Sequence, residues 1–600
     1  MSRKILLVSL CLFALCVIVF FTIFVRISIH TGHTIARLRK ESGPQEVTVG
    51  EIPLVRKKGW ELFADLGDVR DIGFYKSHYY LATAGGVLIA EEGGKVVSTL
   101  NTTWGLPENS YRQLLVGEDG VYALSDGGVL LQLKRDNAFL YDLACIGKPF
   151  SIAGKEPTVY IGGDEGVFLL CDGKVTVVDD IERVRITRPF LNGYAAGTTY
   201  GTVYIATATR KDSIEGLDAV NDLWVHEDVL HIATPLGLVK IGEQGREDDL
   251  AGEFLTTIAE MNGILFFGTF DGRIIVENRT KRITSKDGHI NRLKLLNDRL
   301  FACTSEGVYV LEGERWQVFY KPRVDVSLLY ITTLLATGSE LLIGTFEDGC
   351  FSMKGDKLYL LDLGEGVNEI NQIVSGKRSI FFATNSGLFE MDEKGVRRHE
   401  GLPSLFVNAI ATHGKNIIVG TSAGFCIMDL SDYSVKNYGA FHGLINNRVY
   451  TVAAIDEKIV LGTLGGISIF DGSTFRNITS ANSLLKSNWV YGLQATEERI
   501  YIGTYGGGIG FFEEKGIRII EETSGAEVNA NGLFYQKPFL FAGTCNHGLF
   551  VYNEKSGRVH FLKGVFPLDN VTAVSADEQY YYIGTAQGMY RIGAKEFSFL

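Results

Sequence analysis

From Ile5 to Val25 the chain reads ILLVSLCLFALCVIVFFTIFV, 21 residues without a charge, which is the length a helix needs to cross a bilayer. The run is longer than the apolar core of a signal peptide and no small-x-small site closes it. Neither Cys11 nor Cys16 follows a small residue, so the pattern predicts an uncleaved anchor in preference to a signal peptide or a lipoprotein leader. Beyond it the pattern changes to short runs of β-branched and aromatic residues separated by Gly, Asn and Asp, the period and punctuation of strands.

These runs repeat. An apolar strand, Gly-Thr, two variable residues, Gly and a second apolar strand recur as IGTFEDGCFSM, FATNSGLFEM, VGTSAGFCIM, LGTLGGISIF, IGTYGGGIGFF, AGTCNHGLFVY and IGTAQGMYRI, with weaker copies such as ATAGGVLIA and FGTFDGRIIV earlier in the chain. Aligned on the turn glycine, fourteen copies run from Gly86 to Gly588, at a mean spacing of about 39 residues, the length of a four-stranded propeller blade. A single blade cannot cover its two apolar faces, so blades must stack, and closing the ring protects their edges. The expected fold is all-β: two seven-bladed β-propellers preceded by one transmembrane helix. The expected organisation is a tail at 1–4, the anchor at 5–25, a juxtamembrane linker at 26–58, a first propeller at 59–320 and a second at 321–600. Either GWELFADL at 59–66 or the terminal EFSFL is expected to close a ring by pairing with a distant strand.

Composition agrees with this picture. Gly is abundant at 70 residues and Pro sparse at 11, as many tight turns require. The net charge is −12, which argues against a general nucleic-acid surface. The bases on the two sides of the apolar run, Arg3 and Lys4 against Arg26, Arg37, Arg39 and Lys40, leave orientation undecided. The bulk of the chain is expected outside, periplasmic or extracellular. Cys145, Cys171, Cys303, Cys350, Cys426 and Cys545 form no C-x-x-C pair and no zinc spacing. No metal or cofactor is expected.

The segments GLPENSYRQL from Gly105, GLPSLFVNAI from Gly401 and HGLINNRVYTV from His442, together with the Gly-Thr-x-x-Gly hairpins, resemble the two-component regulator propeller repeat family. That resemblance implies a sensor-type β-propeller that binds a glycan, another small ligand or a protein partner, and it is specific for fold rather than function. No kinase, receiver or DNA-binding segment follows the repeats, so the resemblance implies sensing or binding without an output domain. A scaffold for a membrane or envelope protein complex is the alternative, and a propeller lyase or hydrolase the third reading.

Catalytic motifs dissolve in the repeat register. Gly420-Thr421-Ser422-Ala423-Gly424 fits G-x-S-x-G, but here it is the blade hairpin, not a strand-turn-helix elbow. Gly506, Gly507, Gly508 and Gly510 likewise precede no helix. No catalytic residue is expected. In a blade, the loop before the innermost strand and the second hairpin emerge on one face, so their variable residues surround the channel mouth. On the second ring Asn447, Asn488, Trp489, Tyr505, Asn546 and His547 are the candidate binding residues, with Phe346 and Asn385 beside them. Amides and aromatics suit a polar or sugar-like ligand or a protein loop. Turn chemistry selects asparagine for capping as well.

Overall fold

A computed structural model describes residues 43–208, 211–243, 245–276, 279–285, 288–322, 330–513 and 516–597. The apolar run Ile5–Val25 lies outside the described residues, and among those described no helix is long and apolar enough to cross a membrane. The described residues are all-β, built mostly of four-stranded antiparallel sheets, each a meander in chain order. The described residues fall into two compact units, one mainly of 113–302 and the other of 303–600 with 52–72 and 76–112.

In the second unit seven innermost strands, Ile331–Ala336, Ile370–Ser375, Val407–His413, Val449–Ile455, Val490–Ala495, Val528–Gln536 and Val571–Ala576, neighbour one another in sequence order, and the last neighbours the first. The cycle is closed. Each strand begins with a fully buried Ile or Val, and the Gly-Thr dipeptide explains why they can lie so close. The glycine faces the next sheet: a β-carbon on Gly420 would stand 2.8 Å from Val449 Cγ1, and one on Gly503 2.5 Å from Val528 Cγ1. The threonine closes the hairpin. Its hydroxyl donates to the turn-glycine carbonyl in every one of the seven sheets, from Thr345 to Gly349 at 2.8 Å through Thr585 to Gly588 at 2.8 Å.

Closure of the cycle uses the earlier of the two candidate segments. Trp60–Phe63 pairs antiparallel with Gly588–Gly593, Trp60 opposite Ile592, and supplies the outer strand of the last sheet. Trp60 is buried among Phe566, Tyr590 and Phe597. Beside it Arg591 binds Glu61 at 2.5 Å and Asp356 at 2.6 Å, which joins the last sheet to the first.

The strand Val528–Gln536 is irregular. Its register jumps between Val528 and Leu533, and the bulged Asn531 makes a parallel bridge to Ala573. The Asn531 amide donates to the carbonyls of Thr332 at 2.9 Å and Asn371 at 2.6 Å. These belong to other sheets of the cycle, so the bulge crosses its central channel.

The first unit is held by side chains that bridge consecutive sheets. The Asp222 carboxylate accepts from Arg188 at 2.6 Å, Thr257 at 3.0 Å and the Ile258 amide at 3.1 Å. Burial pulls its pKa up, but Arg188, Arg292 and the amide donors outweigh that and hold it below the usual carboxylate range. Gln113 donates to the Ile152 carbonyl at 2.7 Å and accepts from its amide at 3.0 Å. The segment read as a linker, 26–58, contains strands: Gln45–Glu46 adds to the edge of Lys174–Asp179, and Val49–Pro53 to that of Asn137–Tyr141.

Candidate functional site

Backbone hydrogen bonds place the two predicted kinds of loop on one face of the second unit. In four of the seven blades the residue after the hairpin threonine donates to the residue before the innermost strand: Phe346 to Tyr330 at 3.1 Å, Ser422 to Phe406 at 3.1 Å, Tyr505 to Trp489 at 2.9 Å and Cys545 to Glu527 at 2.8 Å. Inside this rim the second residue of each innermost strand faces its neighbour. The Asn371 amide donates to the Val407 carbonyl at 2.8 Å, Asn408 to Val449 at 2.8 Å and Asn529 to Val571 at 2.6 Å, while the Thr332 hydroxyl donates to Ile370. Thr572 holds the same position.

Two consecutive sheets break this polar ring. They carry Tyr450 and Tyr491 instead, whose rings stack at 4.6 Å with planes 17° apart. Burial, then the neighbouring Tyr450, pushes the Tyr491 phenol up to about 12. Trp489 lies 5.8 Å from Tyr491 and 5.0 Å from Tyr505, and Tyr505 5.9 Å from Tyr491, all mutually inclined. The result is a continuous aromatic surface of four rings. Trp489 is 38% and Tyr505 37% exposed, large fractions for residues that pay for exposure in hydration. At one end the Arg448 guanidinium sits 5.5 Å above Tyr450. At the other stands Glu527, whose carbonyl accepts from the Cys545 amide at 2.8 Å and whose carboxylate raises the Tyr505 phenol's pKa.

The structure thus brings Trp489 and Tyr505 together and adds Tyr450, Tyr491, Arg448 and Glu527, which sequence reasoning did not single out. The signal was present in the repeat register: Tyr stands where sister copies hold Asn or Thr. The candidate asparagines have turn duties. Asn447 Oδ1 accepts from the Ala440 amide at 2.7 Å, and Asn488 Oδ1 from the Ser480 amide at 2.8 Å. Asn546 Oδ1 is 2.6 Å from His547 Nδ1 and accepts from the Glu527 amide at 3.3 Å, which places it at the acidic end of the aromatic surface. The His547 ring turns outward along the sheet to Phe550 and Phe561, each at 6.3 Å. Phe346 packs on Tyr330 at 5.3 Å, and Asn385 accepts from Asn371 at 2.9 Å. Ser422 Oγ accepts a long 3.4 Å bond from Asn408.

No family model matches the chain, and no curated relative does. Among solved structures, PorZ, an essential bacterial surface component of the type-IX secretion system of Porphyromonas gingivalis, is 14% identical over 89% of this chain and 87% of its own, with a TM-score of 0.65. The extracellular domain of a putative one component system from B. thetaiotaomicron is 13% identical over 89% of this chain and 83% of its own, at a TM-score of 0.39. That of a putative hybrid two component system from the same organism is 14% identical over 88% and 81%, at 0.40. The first likeness shows a shared fold across nearly the whole chain. At such identity it shows the fold alone.

Proposed function

We propose that this chain is a membrane-anchored pair of seven-bladed propellers, its bulk outside the cytoplasm, and that the second propeller binds a ligand or protein partner on the channel-mouth face. The observation that carries the reading is the replacement of the bridging Asn or Thr by Tyr450 and Tyr491 in two adjacent blades. A bridging amide satisfies a neighbour's carbonyl, a structural task. Stacked tyrosines give that up and extend an aromatic surface that is left partly open to solvent. The Asn531 bulge reaches across the channel to Thr332 and Asn371, which favours the mouth as the place where a ligand is met. Rigid strands with variable loops are the usual setting for binding residues.

A thermal-shift screen of the full chain against glycans, peptides and other small ligands tests this, since a ligand specific for the folded state must raise the melting temperature. The shift should vanish in Trp489→Ala. A shift that survives in both Trp489→Ala and Tyr505→Ala would remove this face from consideration. The anchor is tested separately: the chain should resist carbonate washing of membranes and be released by detergent.

A scaffold in a surface assembly is the second reading. It is favoured by the apolar side chains that the loops of this face raise into solvent, Phe406, Phe441, Leu484 and Leu568, the kind of display that marks protein interfaces. It also accords with the role in PorZ's description, a secretion-system surface component. Stable copurification with envelope proteins would support it.

A further inference from the structure

The channel-mouth face of the second unit is acidic as well as apolar. Its loops at 362–369, 400–406, 439–448, 479–489, 521–527 and 563–570, with the hairpins between second and third strands, carry ten Asp and Glu against three Lys and Arg. Of those three, Lys486 is paired with Glu521 and Arg448 lies over Tyr450. An anionic lipid surface would be repelled by such a face. A neutral sugar could lie on the aromatic rings and donate hydroxyls to a carboxylate, but it would gain nothing from the net negative charge of the rim, which a cation uses in full.

Arg448 shows what the aromatic surface accepts. Its guanidinium sits over one end, on Tyr450, where the ring's negative face attracts a cation. The opposite end offers two partly exposed rings, Trp489 and Tyr505, beside Glu527, whose backbone is fixed by bonds to the Cys545 amide at 2.8 Å and to Asn546 Oδ1 at 3.3 Å. Leu484 stands exposed on the same loop as Trp489 and Phe441 on the loop before it, ready to cover the apolar side chains of an extended segment.

We propose, resting on the binding role argued above, that the occupant of this face is a basic and apolar polypeptide segment. One of its arginine or lysine residues places its cationic head against Trp489 and Tyr505 and pairs with Glu527. The carboxylates around the rim steer the segment and speed its encounter, while the aromatic end fixes its register.

The test uses the full chain in neutral detergent and a fluorescent peptide of alternating arginine and leucine, with binding followed by anisotropy. Affinity should fall with added salt. Glu527→Gln and Trp489→Ala should each weaken it about tenfold, the scale of one partly desolvated cation–π or charge-paired contact. Tyr505→Phe, which keeps the ring, should cost less than about threefold, and Glu522→Gln, an exposed acid on the same loop as Glu527, less than about twofold. Melting temperatures guard against misfolding. Equal losses in Glu522→Gln and Glu527→Gln would mean diffuse charge attraction and overturn the proposal, as would a peptide that does not bind. If a neutral oligosaccharide binds instead and Trp489→Ala abolishes that binding, the recognition face stands and the polypeptide assignment falls. If neither probe responds to Trp489→Ala or Tyr505→Ala, both fall together.

Discussion

Gly584 lies against Ile331 at the seam where the last sheet of the second unit meets the first: a β-carbon on Gly584 would stand 2.6 Å from Ile331 Cγ2 and 3.0 Å from its Cβ. Neither neighbour is a flexible chain end, so the added methyl must push two sheets apart. Gly584→Ala should therefore cost about 1–3 kcal/mol, the usual penalty of overpacking. Gly338→Ala, where the new carbon meets nothing within 4 Å, should change stability by less than about 0.5 kcal/mol. Chemical denaturation of the two variants checks the difference.

The strand Trp60–Phe63 should be as important to the second unit as any strand within 331–597. Trp60→Ala removes a buried indole that touches Phe566, Tyr590 and Phe597, and about 3–5 kcal/mol of stability should go with it. A fragment of residues 321–600 lacks this strand and should expose the edge of Gly588–Gly593. A synthetic peptide of residues 55–66 should bind that fragment and raise its melting temperature. A fragment equally stable with and without the peptide would refute this account.

Tyr450→Asn and Tyr491→Asn rebuild the bridging pattern of the sister sheets. Each amide would be placed to reach the carbonyl of the next innermost strand, as Asn408 reaches Val449. The double variant should fold with a melting temperature within a few degrees of the parent, since one stack of about 0.5–1.5 kcal/mol is exchanged for hydrogen bonds of similar worth. Its ligand or partner binding should be lost. Retained affinity in a folded double variant would separate the aromatic pair from function.

Ser422→Ala should leave stability and binding within about 0.5 kcal/mol of the parent. The residue's backbone is fixed by the bond to Phe406, and its hydroxyl makes only the long contact with Asn408. Loss of a measurable turnover in this variant would revive the hydrolase reading.

Acid should weaken the second unit through His399. Its ring is buried between Phe381 and Tyr433, with Nε2 3.0 Å from Glu390. Burial holds the imidazole below its ordinary pKa, against the opposing pull of Glu390. The unfolded chain, titrating near 6.5, then binds more protons than the folded one just below that pH. The stability from a neutral His399 is thus fully present above about 6.5 and is lost as pH falls toward the folded value. His231 in the first unit is shifted the same way, again chiefly by burial. The fall in melting temperature between pH 7 and 5 should be shallower in His399→Phe than in the parent.

The repeat was legible because its determinants are local. Gly-Thr-x-x-Gly sets a hairpin and a close approach within five residues, and Ile or Val at the head of each inner strand follows from alternation. Ring closure by Trp60–Phe63 was legible only as one of two candidate segments, because pairing with Gly588–Gly593 is a contact across almost the whole chain, which no window of sequence contains. The site was half legible. Trp489 and Tyr505 stand out in polar loops, whereas Tyr450 and Tyr491 read as ordinary strand aromatics until aligned with Asn371, Asn408 and Asn529. Asn447 and Asn488 show the reverse: their loop context suggested ligand contact, and their side chains are engaged by the amides of Ala440 and Ser480.

The pairing of Trp60 with Ile592 also sets a timetable. A ribosome releases the first of these strands while some 530 residues remain to be added, which at about 5–20 residues per second is roughly 25–110 s of synthesis. Throughout that interval an apolar strand with unpaired amides waits for its only native partner, the situation in which foreign edges are most readily captured. A chain of this design gains from a holding chaperone that keeps its beginning until its end has emerged.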